Sequence, residues 1–201
     1  MRMRVKLLVW GGLVLVWAGA LVLGWGNVES GTADPLLTLG SARDLVPPAH
    51  PDIPDSTYYV ATGHLLVLVA VTAAAVLLPL AGSRWRIVAG LVTLAASGWL
   101  AYVTYTGETV DGGWSPLAVY VAAGVLALVG VLYLAGRPGP VGVGAGLLAL
   151  AGAAWNTNAA VELLLPHGRP GLGSIALTLG FLLVAAGAFT TLGERPRRRR
   201  R

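Results

Sequence analysis

Six stretches of the chain stay apolar for about as long as a membrane-crossing helix requires: 7–26, 58–81, 87–105, 116–135, 141–165 and 172–192. A helix rises 1.5 Å per residue, so about 20 residues cover roughly 30 Å of bilayer hydrocarbon. Between the stretches lie short segments rich in Gly, Pro, Arg and acidic residues. This alternation predicts an all-α fold, a polytopic transmembrane helical bundle of six spans forming one integral membrane domain over 1–201. Only the fifth stretch is interrupted: it is apolar to Trp155, meets Asn156, Thr157 and Asn158, and resumes at Ala159. Stopping at Trp155 leaves a helix short of the bilayer, so the expected span continues to about residue 165 with a polar ring in its outer third.

Composition supports the same class. Of 201 residues, 56% are hydrophobic and 11% charged, against about 25% charged in a soluble domain that must coat itself with polar side chains. Cysteine is absent, which excludes disulfides, thiolate metal sites, iron–sulfur clusters and cysteine nucleophiles. A single lysine among fourteen basic residues resembles the codon bias of a GC-rich bacterial genome and carries no mechanistic weight.

The formal charge of +5 matters less than its distribution. With the N-terminus cytoplasmic, the inner segments hold Arg2, Arg4, Lys6, Arg84, Arg86, Arg137, Arg195 and arginines 197–201, twelve of the fourteen basic residues. Only Arg43 and Arg169 fall outside, whereas eight of the nine acidic residues lie at or beyond the outer boundary and Glu194 alone is inside. The excess of positive charge on cytoplasmic loops therefore predicts a plasma-membrane protein with both termini inside. An alternative is a secretory signal cleaved after Ala18-Gly19-Ala20. The apolar run continues past that site to Trp25, as an uncleaved anchor does.

The loops add detail. Inner connections 82–86 and 136–140 are short and predict antiparallel hairpins of helices two with three and four with five. These hairpins resemble one another, with 90–99 (GLVTLAASGW) matching 146–155 (GLLALAGAAW); duplication, or the chance similarity of Ala, Val, Leu and Gly sequences, accounts for it. Gly142 and Gly146 on helix five form a small-residue face that serves packing within the bundle or a dimer contact. The first external loop, 27–57, contains five prolines, too stiff and short to be a domain. Trp25, Tyr58, Tyr59, Trp99, Tyr102, Tyr105, Trp114, Tyr120 and Trp155 are expected at the outer membrane boundary, and Trp85 and Tyr133 at the inner one.

Candidate chemistry is sparse. Ionisable groups deep in a bilayer are costly and mark function, and the middle thirds of helices one, three, four and six contain none. His64 on helix two, Glu108 beyond helix three with Thr104 and Thr106, and Asn156, Asn158 and Glu162 on helix five fall at similar depth and form a possible outer-leaflet polar cluster. Such a cluster suits a cation, a lipid headgroup or a small polar solute; His64 with His167 or His50 suits a metal or acid–base role. The alternative is helix capping and interhelical hydrogen bonding. HExxH, Gly-x-Ser-x-Gly and the phosphate-binding loop are absent, so no catalytic, cofactor or metal residue is assigned. Arg197, Arg198, Arg199, Arg200 and Arg201 are expected to contact anionic lipid headgroups; nucleic acid is not an expected partner.

These features predict a non-enzymatic accessory or scaffold subunit of a membrane complex, with a protein partner or a second copy held through small-residue helix faces. A small transporter or channel component using the outer polar cluster is the second class. A membrane-embedded enzyme or metal-binding protein using His64 and Glu162 is the third.

Overall fold

The structure, a computed structural model, describes residues 3–28, 64–76, 84–106, 116–161 and 168–191; residues 26–28, 64–66, 116, 118, 138 and 168 are described by their backbone alone. Among these residues the chain is helical, with one short strand pair. The order is α1 (Met3–Leu21), β1 (Gly26–Val28), α2 (His64–Ala75), α3 (Trp85–Tyr105), α4 (Pro116–Leu134), α5 (Pro138–Ala159), β2 (Gly168–Pro170) and α6 (Leu172–Thr190). Helices α1, α3 and α6 are long and apolar enough to cross a membrane, which marks a membrane protein.

Glycine contacts orient the helices. Along α1 and α6, Gly12 meets Gly180 and Gly19 meets Gly173, so the two run antiparallel. Gly90 and Gly130 bring α3 against α4, and Gly142, Gly146 and Gly152 face Ala188, Phe189 and Phe181 of α6. One end of the bundle therefore gathers the starts of α1, α3 and α5 with the end of α4. The closest pairs are α1 with α6, α3 with α4, and α5 with α6. The hairpins joined by the short loops are adjacent but less intimate, because the facing glycines lie elsewhere. The similar decapeptides also differ in setting: Gly90 packs on α4 and Trp99 is exposed, while Gly146 packs on α6 and Trp155 is buried.

Much of the interior is built from small and β-branched residues, including Val9, Val16, Ala89, Val129, Ala145, Ala149 and Ala185, while many large apolar side chains point outward. Leu7, Trp10 and Val14 of α1, Ile87, Leu91 and Val92 of α3, and Ile175, Leu179 and Leu182 of α6 are all exposed. Lipid competes equally with protein for leucine, so helices gain by bringing backbones together rather than by burying large side chains. A Cβ built on Gly12 would lie 2.7 Å from the Gly180 carbonyl oxygen, and one on Gly180 equally close to that of Gly12. Gly142 and Gly146 are thus used inside the chain.

Helix ends explain the connections. At the close of α4, Gly136 N–H donates to the Tyr133 carbonyl and Arg137 N–H to that of Leu132, with Gly136 at φ 69°. This double closure needs the left-handed conformation that glycine adopts without strain. Pro138 then opens α5, where its missing N–H costs nothing. The described part of α2 ends at Ala75. Just before it, the Ala73 and Ala74 carbonyls accept the hydroxyls of Thr93 (3.0 Å) and Tyr133 (2.9 Å). The remainder of the expected span 58–81 lies outside the described residues, as does most of loop 27–57.

Two expectations change. Helix α1 ends at Leu21 rather than Gly26, because residues 26–28 pair antiparallel with 168–170, Gly26 opposite Pro170 and Val28 opposite Gly168. Gly171 and Gly173 N–H groups bond the Trp25 and Gly24 carbonyls, both at 2.8 Å, so the first turn of α6 is capped by the exit of α1 with no capping side chain. Second, Trp25, Trp155 and Tyr133 are buried against protein instead of facing outward, with Trp25 only 2% exposed, whereas Trp85, Trp99, Tyr102, Tyr105 and Tyr120 do face outward; Tyr58, Tyr59 and Trp114 lie outside the described residues. As expected, α5 passes Trp155 without a break: Ala159 ends it and Ala160 keeps helical dihedrals, and residues 162–165 lie outside the described residues.

Substituting Gly12→Ala should lower stability by about 1–3 kcal/mol through overpacking against α6. Gly11→Ala, where an added Cβ meets nothing within 4 Å, should be neutral or slightly stabilising. Thermal unfolding of both variants in detergent checks the contrast.

Candidate functional site

Polar groups on apolar helices must find partners nearby, since hydrocarbon supplies none. Asn156 on α5 is completely buried. Ser174 and Thr178 are four residues apart on α6 and so share one of its faces. Asn156 Nδ2 donates to the Ser174 carbonyl at 2.9 Å and to Thr178 Oγ1 at 2.8 Å, with Ser174 Oγ at 3.5 Å. Its Oδ1 accepts the Trp25 indole N–H at 2.9 Å. Indole nitrogen only donates, which fixes the amide orientation. The junction thus joins α5, α6 and the segment leading from α1 into β1.

The arrangement contains no titratable group. A neutral amide on α5 whose N–H groups and oxygen are engaged by α6 and by the segment after α1 fixes the relative positions of the three. It leaves little capacity for a solute.

The expected outer cluster is only partly described. Asn156 is buried, while Asn158 is exposed on another side of α5, so the two do not come together. Thr104 turns back to the Leu100 carbonyl at 2.7 Å, and Thr106 to that of Val103 at 3.0 Å. His64 begins α2, but its side chain lies outside the described residues. Glu108, Glu162, His50, His167 and Arg197 to Arg201 also lie outside them. Among the described residues no group of three His, Asp or Glu is placed to hold a metal.

Sequence reading missed Trp25, Ser174 and Thr178 as partners of Asn156. The signal for the last two was present in their spacing of four on an apolar helix; nothing local marked Trp25. Two further links went unread: Trp17 Nε1 to Thr72 Oγ1 at 3.0 Å, between α1 and α2, and Ser97 Oγ to the Ala123 carbonyl at 2.8 Å, between α3 and α4.

Comparison with protein-family models, with curated proteins and with solved structures finds no match to this chain. The class defined by the fold is a helical membrane protein.

Replacing Asn156 by Leu should destabilise the protein by about 1–2 kcal/mol, since interhelical hydrogen bonds in membranes are each worth roughly 0.6 kcal/mol and the Trp25 donor is left buried. Thr178→Val, which removes one acceptor, should cost less than half as much. Denaturant titration in mixed micelles, followed by tryptophan fluorescence, measures both.

Proposed function

We propose that this protein is a non-enzymatic accessory or scaffold subunit of a membrane complex, a plasma-membrane bundle of six spans with both termini cytoplasmic. The carrying observation is the use made of its buried polar side chains. Thr93, Ser97, Thr104, Asn156 and Ser174 are occupied in hydrogen bonds to their own or neighbouring helices, which leaves an interior suited to packing.

The outward faces supply the support for a partner. Gly11 on α1, Gly98 on α3 and Gly124 on α4 are exposed, and an added Cβ at each would meet nothing within 4 Å. Bare backbone on an apolar surface lets a neighbouring helix approach closely. A larger partner subunit is the favoured occupant, and a second copy is the alternative.

Six spans are supported by the apolar lengths of the six sequence stretches, and inside termini by the twelve basic residues assigned to one side. Arg197 to Arg201 reinforce that side by attracting anionic headgroups, at about 1 kcal/mol per residue near the surface.

Gentle detergent extraction from the native membrane should recover the protein with a stoichiometric partner that Gly11→Leu, Gly98→Leu or Gly124→Leu displaces. A monodisperse lone protein would overturn the scaffold reading. A reporter active only in the cytoplasm should report activity when fused after Arg201 and none when inserted in loop 27–57.

A further inference from the structure

The end of the bundle that gathers the starts of α1, α3 and α5 is positively charged. Arg4, Lys6, Arg84, Arg86 and Arg137 lie there, and the described residues include neither Asp nor Glu. Two of the five meet at one turn, and a third is two residues from one of them along the chain. Arg86, in the first turn of α3, lays its guanidinium on Gly136 of the α4–α5 turn, where an added Cβ would collide with it. Arg137 follows Gly136 directly, fixed by its backbone bond to Leu132, and Arg84 precedes α3 by one residue. All three side chains are exposed.

Pro138 and Pro140 remove two of the three leading N–H groups of α5. An anion at this turn is therefore bound by guanidinium, with little help from the helix end. Immediately below the charges the surface turns apolar: Ile87 and Leu134 are exposed, and Leu134 packs across Gly90 in the groove between α3 and α4. Trp85, 56% exposed, stands beside the arginines where an indole prefers headgroup depth. A fixed cationic group above an apolar groove matches a molecule with an anionic head and hydrocarbon tails.

We propose that Arg84, Arg86 and Arg137 bind the phosphate of an anionic phospholipid whose acyl chains lie along Ile87 and Leu134. The site rests on the membrane reading above but not on the scaffold role, and it is separate from the arginine tail.

The full chain, purified in mild detergent with equal phosphatidylglycerol and phosphatidylcholine, should retain phosphatidylglycerol preferentially by native mass spectrometry. Each guanidinium removed should weaken that preference by about fivefold, so R86Q with R137Q should lower it more than tenfold. R86K should retain part of it, since lysine keeps the charge but loses the planar fork. Deleting residues 197–201 should leave the preference in place. Equal retention of both lipids overturns the proposal, as does a preference abolished only by the tail deletion. Glycerol phosphate displacing the lipid at equal concentration overturns the acyl-chain component. Circular dichroism confirms that each variant is folded, and loss of a protein partner in the extraction experiment leaves this measurement unaffected.

Discussion

The first and last helices touch backbone to backbone, and the rest of the bundle depends on that contact. In water, burial of large side chains drives helices together; in hydrocarbon the gain must come from close packing and from polar groups with no other partner. Gly12 with Gly180 and Gly19 with Gly173 bring α1 to α6 at a distance no side chain permits. Once α6 is seated, its other side receives α5 through Phe181, Phe189, Ser174 and Thr178. The antiparallel strands and the Asn156 junction then close the same end that the glycines bring together.

The usual economy of residue size is relaxed. Alanine and glycine fill much of the interior, many leucines face outward, and hydroxyls link helices through backbone carbonyls. Thr93 shows how: its oxygen donates toward the Ala89 carbonyl of its own turn and the Ala73 carbonyl of α2. A hydroxyl can serve both because it rotates, and so joins two helices without an ionisable group.

The helical class was legible because hydropathy over 20 residues integrates many weak preferences. The passage of α5 beyond Trp155 was legible from length alone. The packing partners were not, since short loops make neighbours in sequence conspicuous whereas the tight contacts follow facing glycines far apart in the chain. The role of Trp25 was hidden for a related reason: a tryptophan near the end of an apolar run serves equally at a membrane boundary or as a donor to a buried amide 131 positions away. Of the candidate polar cluster, Asn156 could be read as a helix-to-helix link from its apolar surroundings, but its partners required the fold.

The strand pair and the glycine contact both join the beginning of the chain to its end. A chain inserted in order from its N-terminus meets the main partner of its first helix only when the sixth arrives. Until then α1 rests in the bilayer with Gly12 and Gly19 facing lipid, while α3 and α4, adjacent in sequence, can already pair. Assembly is thus set to finish late and in one step, when α6 enters between α1 and α5. A chain truncated before α6 leaves its first helix held by the Trp17–Thr72 link to α2 and without its main packing partner.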